Sequence, residues 1–221
     1  MLRRQMIALP ATLAAMPARA EGEVDLLLVL AIDASGSISD DEFRLQREGC
    51  AEAISNAAVL SAIRSGPRGS IGIAMVEWGA PGGAATVVEW LRVADERSAA
   101  VASEAFRAAP RSQQSWNAIG DAIDHAARLI AAAPFRAAEK VIDVSGDAPD
   151  MRGLRPAGMA RDDAVAAGIT VNALAILGGT PGLAERYAQD VIGGPGAFVM
   201  TAEGRADFAR AIRAKLVREI A

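Results

Sequence analysis

The chain has 221 residues, 52% of them hydrophobic, and a formal charge of −4. Setting aside residues 1–20, which hold Arg3, Arg4 and Arg19 and no acid, takes the charge to −7, a balance without a basic stripe that excludes nucleic acid and anionic membrane as partners. One cysteine, Cys50, excludes an internal disulfide, so stability must come from packing.

Arg3 and Arg4, a mostly apolar stretch over 5–16 and the small-x-small Ala18-Arg19-Ala20 have the layout of a secretory signal peptide over residues 1–20. Residues 21–221 are then expected as one exported domain, periplasmic or secreted, with no membrane insertion of the mature chain. Residues 24–32, apolar at every position but Asp25, have the pattern of a strand buried on both faces. Ser39 and Glu42 make a capping box for a helix that runs to about residue 63, before Gly66-Pro67. Cys50 lies on its apolar stripe with Phe43, Ile54 and Ala57 and reads as a buried, inert thiol.

Segments 70–78 and 84–91 flank Gly79-Ala80-Pro81-Gly82-Gly83 as a hairpin whose second strand is a sheet edge. Trp78 and Trp90 are expected to pack within it or under a helix. Helices over 98–108 and 115–133 follow, the second with Ile119, Ile123, Ala127 and Ile130 on one face. Strand 140–145, helix 160–167, strand 169–177, helix 183–191, strand 197–200 and a terminal helix over 205–220 complete the chain.

This alternation predicts an α/β, doubly wound, mostly parallel sheet with one antiparallel edge strand and helices on both faces. Ligands in such sheets bind beyond the C-terminal ends of the strands, where strand order reverses. The run Asp33-Ala34-Ser35-Gly36-Ser37 falls there. Turn chemistry accounts for Gly36 and for Ser39, but not for a carboxylate closing a buried strand. Such a group costs several kcal/mol unless paired or bound to a cation. No Lys or Arg lies between Asp33 and Phe43. Asp33, Ser35 and Ser37 are hard oxygen donors of the kind that Mg²⁺ and Ca²⁺ select.

Asp-x-Ser-x-Ser after the first strand of a doubly wound fold resembles the von Willebrand factor type A (VWA) domain and its metal-ion-dependent adhesion site. The resemblance extends over residues 24–221. The strings Asp143-Val144-Ser145-Gly146-Asp147 and Gly193-Gly194-Pro195-Gly196-Ala197-Phe198 resemble a bacterial exported subfamily. The family implies a divalent ion, Mg²⁺ or else Ca²⁺ or Mn²⁺, on Asp33, Ser35 and Ser37, with further donors from two later loops. The second loop normally offers a Thr where this chain has Asn117. Asn117 is either an amide ligand or a helix N-cap, and Ser115 is a possible substitute. The third donor is normally an Asp directly after Thr or Ser, but here Gly146 separates Ser145 from Asp147. Asp147 then ligates directly, acts through water, or is missing from the site. Asp150 reads as a solvated turn residue, and Asp143, inside its strand, has no evident role.

The resemblance implies a protein partner whose Asp or Glu completes the cation's octahedron, with no bond broken. A metal-free scaffold binding proteins through its surface is the alternative, since Asn117 and the displaced Asp147 depart from the pattern. A metal-dependent hydrolase is the third reading. It lacks a Gly-x-Ser-x-Gly, and the single histidine, His125, falls off the apolar stripe of its helix, on the solvent side. Neither Gly-x-x-x-x-Gly-Lys-Ser/Thr nor Gly-x-Gly-x-x-Gly follows a strand, so nucleotide binding has no support.

Overall fold

A computed structural model describes residues 22–221, so the signal-peptide reading of residues 1–20 lies outside the described residues. The chain order is β1 (Gly22–Glu23), β2 (Leu26–Asp33), α1 (Asp40–Ile54), α2 (Ala57–Ser65), β3 (Ile71–Trp78), β4 (Ala85–Val93), α3 (Glu96–Ala108) and α4 (Ile119–Ala131). It continues with β5 (Phe135–Arg136), β6 (Glu139–Gly146), α5 (Ala157–Ala166), β7 (Thr170–Ile176), α6 (Leu183–Asp190), β8 (Val199–Ala202), a 3₁₀ turn (Arg205–Asp207) and α7 (Phe208–Ile220).

Six strands form one sheet in the order β4-β3-β2-β6-β7-β8. Only the β3–β4 pair is antiparallel, and β4 is an edge, as the hairpin pattern implied. All eight residues of β2 are buried because both faces of the sheet are covered. Leu26, Leu28, Leu30 and Ile32 pack in one core with α1, α2, α3 and α7. Leu27, Val29 and Ala31 enter the other core, with α4, α5 and α6. The period-2 alternation of a strand thus fills two cores at once.

Two expectations need correction. The helix expected to reach residue 63 is two helices, because Asn56 starts a new one: its side-chain oxygen accepts from the Ala58 N–H at 2.9 Å. The helix expected from residue 115 begins only at Ile119, since 109–118 is a loop threaded between β3 and the first loop. The pairing of Gly22–Glu23 with Phe135–Arg136 was not anticipated, two-residue strands being too short to carry a period. Cys50 is fully buried, and burial pushes its thiol up to about 12, in keeping with an inert role.

Asp143 gains an account from packing. On β6 it faces Lys215 of α7, whose Nζ stands 2.8 Å from Asp143 Oδ1, an ion contact without hydrogen-bond alignment. Lys215 also pairs with Glu219 one turn on, and Glu219 Oε1 accepts from Asn172 Nδ2 at 2.8 Å. The Phe198 ring closes over the ammonium at 5.1 Å. All four polar residues are buried. Burial, then the Asp143 charge, pushes the Glu219 carboxyl up to about 7 against the pull of Lys215.

A raised carboxyl keeps its proton in the folded protein after the unfolded chain has lost it. Stability contributed by Glu219 therefore falls as pH rises from its ordinary 4.5 to about 7. Glu219→Gln keeps acceptors for Asn172 and Lys215 and removes the titration. The melting temperature of Glu219→Gln minus that of the parent should become more positive across this window. A constant difference across it would show that Glu219 does not titrate there.

Candidate metal site and its neighbours

Strand order reverses between β2 and β6, whose C-terminal ends open the crevice that holds the Asp33 loop. Asp33 ends β2 opposite Trp78, and Ser145 of β6 lies opposite Ile32. The loop then turns on its own backbone: Asp33 Oδ1 accepts from the Ser35 N–H at 2.8 Å, and Ser35 C=O accepts from the Ile38 N–H at 3.1 Å. The hydroxyls of Ser35 and Ser37 are 3.1 Å apart, one buried and one exposed. Arg111 braces the outside, donating to Ile38 C=O at 2.6 Å and pairing with Asp40 at 2.8 Å.

Asp33 is completely buried, and its Oδ2 has no hydrogen-bond partner among the described residues. Burial pushes its carboxyl up to about 7, with the bonds from Ser35 opposing and the Asp147 charge adding to the rise. Asp147 thus lies close enough to Asp33 for its charge to act on it. The insertion of Gly146 does not carry Asp147 away from the first loop.

A close approach explains that glycine. A side chain at Gly146 would stand 2.7 Å from the Tyr187 hydroxyl and 2.9 Å from the Trp78 ring. Tyr187 donates to Ala148 C=O at 2.9 Å and Trp78 Nε1 to Ala31 C=O at 3.0 Å, so both rings are fixed beneath the strand end. Trp90 likewise donates to Leu129 C=O, at 3.2 Å, so both tryptophans serve packing.

The second loop reaches the first through backbone. Gly36 N–H donates to Ser115 C=O at 2.8 Å, which commits the Ser115 carbonyl to the fold. A Cβ on Gly79 would meet Trp116 C=O at 2.9 Å and Ser35 Cα at 3.1 Å, so this glycine lets the loops close. Asn117 does not cap α4: the cap position is Ala118, without a side-chain bond. Its carbonyl accepts from the Met151 N–H at 2.7 Å, and its side-chain Oδ1 is buried without a partner.

Asp150 supplies the cap instead and is no idle turn residue. Its Oδ1 accepts from Ile119 N–H at 2.8 Å and Gly120 N–H at 3.3 Å, its Oδ2 from Ala157 N–H at 2.9 Å. One carboxylate thus serves two helix starts, where orphan donors and the helix dipole favour an anion. Asp150→Ala should lower unfolding free energy in urea by about 1–2 kcal/mol, the scale of a lost cap. A change near zero would show that water replaces it fully.

One residue of the site, Arg205, carried no sequence signal. Arg205 crosses from the turn before α7 to Asp147 Oδ2 and, through Nε, to Glu42 Oε1 at 2.7 Å. Glu42 also caps α1, accepting from Ser39 N–H at 2.9 Å, as the capping box predicted. His125 stands apart, half-buried rather than facing solvent, with Nε2 2.8 Å from Thr86 Oγ1.

A hard cation fits these residues. Asp33 Oδ2, Asn117 Oδ1 and Asp147 Oδ1 are all oxygens, all buried and all without partners, and the loop that begins at Asp33 adds the Ser35 and Ser37 hydroxyls, 3.1 Å apart. Among the described residues no group of three His, Cys, Asp or Glu is arranged for a metal, in keeping with a donor set built on hydroxyls and an amide.

The chain belongs to the family described as "Protein of unknown function (DUF1194)", whose model matches residues 23–221. Its fold is the VWA fold. Proximal thread matrix protein 1 from the mussel byssus is 14% identical, with a TM-score of 0.69 over 88% of this chain and 48% of that one. A second structure of that protein holds zinc in its MIDAS motif. A von Willebrand factor type A protein from Catenulispora acidiphila is 22% identical, with a TM-score of 0.61 over 89% and 43%. The vWF domain of the type V pili tip protein Mfa5 from Porphyromonas gingivalis is 12% identical, with a TM-score of 0.61 over 90% and 95%. The chain spans about half the length of the first of these structures. No curated protein sequence matches it.

Proposed function

We propose that this chain is a divalent-cation-dependent protein-binding module of the exported compartment, acting by recognition without bond breakage. The cation, Mg²⁺ or else Mn²⁺ or Ca²⁺, would be held by Asp33, Ser35 and Ser37, with Asn117 and Asp147 from the later loops. A partner's Asp or Glu would complete its shell. The carrying observation is the trio of buried, partnerless oxygens on Asp33, Asn117 and Asp147. Each leaves a desolvation cost of about 1–3 kcal/mol that a cation would remove. Neighbours with pilus and byssus names, one with zinc in its MIDAS motif, support the adhesion reading.

The surface beside these residues suits a protein partner. Trp116, Met151 and Leu154 are 44%, 40% and 75% exposed, next to or paired with Asn117 or on the same loop as Met151. Arg152, at φ 60°, is the one non-glycine residue with positive φ among those described, and its guanidinium lies 4.2 Å over the Trp116 ring. Strain of this kind persists where surroundings impose it, often in binding surfaces.

The metal-free scaffold keeps one observation in its favour: Arg205 already neutralises one oxygen of Asp147. Thermal unfolding separates the readings. Binding to the folded state alone adds about 2.7 kcal/mol at a hundredfold excess over Kd. Mg²⁺ or Mn²⁺ should therefore raise the melting temperature, and EDTA should reverse it. Identical melts with cation and with EDTA would leave only the scaffold.

A further inference from the structure

Arg205 is the cation paired with Asp147, and its surroundings are specific. Its side chain is 15% exposed, Nη2 binds Asp147 Oδ2, Nε binds Glu42 Oε1, and Nη1 is buried without an acceptor. Asp147 keeps its other oxygen buried and without a partner, as Asp33 does. The carboxylates of Asp33, Asp147 and Glu42 count three negative charges, and Arg205 returns one. A divalent cation then brings the cluster to neutrality. Without Arg205 the loaded cluster would stay negative and repel an acidic ligand.

We propose that Arg205 is a positioning and charge-setting residue: it holds Asp147 by one oxygen with the other open, weakens cation binding, and keeps the loaded site receptive to a carboxylate. The inference rests on the metal-dependent reading above. It gives Arg205 two effects of opposite sign, which a residue that merely holds the fold together would not produce. Removing the guanidinium strengthens the hold on the cation and weakens the hold on the anion.

The test is calorimetric titration of the purified chain with Mn²⁺, followed by addition of acetate as a carboxylate probe, read by the water-proton relaxation of bound Mn²⁺. Arg205→Gln should bind Mn²⁺ at least about tenfold more tightly, the scale of one near charge at an effective dielectric of about 20. Arg205→Lys, which keeps the charge and loses the fork, should stay near the parent. Glu42→Gln keeps the cap, removes one negative charge, and should weaken Mn²⁺ binding. Acetate should displace water from bound Mn²⁺ in the parent and less so in Arg205→Gln.

Unchanged or weaker Mn²⁺ binding by Arg205→Gln, with the parent binding normally, overturns this inference and leaves the metal-dependent reading standing. So does an equal acetate response. A parent that binds no Mn²⁺ overturns both. If Arg205→Gln does not fold, Arg205→Lys and Glu42→Gln decide: parent-like binding in the first with weaker binding in the second supports the charge role, and any other pairing overturns it.

Discussion

Asp33→Ala is expected to abolish divalent-cation binding while leaving the metal-free protein as stable as the parent or more so. The reason is that Asp33 contributes little to the fold. Its carboxylate is fully buried, receives a bond from the Ser35 N–H, has one oxygen with no partner, and is pushed up by burial and by the Asp147 charge. Such a charge costs the native state several kcal/mol, and truncating it removes the cost along with the donor. The melting temperature in EDTA should stay level or rise, and the shift on adding Mg²⁺ should vanish. Equal Mg²⁺ affinity for variant and parent by calorimetry would falsify the assignment of Asp33 as a ligand. A large fall in metal-free stability would instead make it a structural residue.

The second large effect lies at the opposite pole of charge burial. Lys215→Met keeps the side-chain volume and leaves Asp143 and Glu219 buried together without their cation. Breaking a buried ion network by deleting one partner costs about 3–5 kcal/mol, because an uncompensated charge stays behind. Urea unfolding should report a loss of that size above the Glu219 titration, at about 7, and a smaller one below it, where Glu219 takes up a proton. A loss under about 1 kcal/mol at both would mean that water reaches these groups when the lysine goes. Asp33 and Lys215 thus form a contrast: two buried charges, one without an ion-pair partner among the described residues and dispensable to the fold, the other ion-paired on both sides and essential to it.

The same contrast separates what was legible from what was not. The β2 strand, the capping box of Ser39 and Glu42, the edge hairpin and the sheet's reversal point rest on local composition, period and chain order, all of which a linear text displays. Asp33, Ser35 and Ser37 belong to this class, since their spacing is itself the signal. Asn56, a residue of N-cap type, starts a second helix inside the apolar period that runs to residue 63. Arg205 was not legible at all. Its partners Glu42 and Asp147 lie 163 and 58 positions away, and nothing near Arg205 marks it. Asp150 reads like any turn aspartate until α4 and α5 bring three N–H groups to it.

By itself, then, the sequence determined the alternation of strands and helices and the donor chemistry at the head of β2, because hydrogen-bond periodicity and side-chain type act over a few residues. Only the tertiary structure decided which distant charges meet: that Asp147 stands against Asp33 despite Gly146, that Arg205 holds it, and that Asp143 is answered by Lys215. Electrostatic energies depend on separation in space and on exclusion of water, and neither exists until the sheet and its two helical layers close.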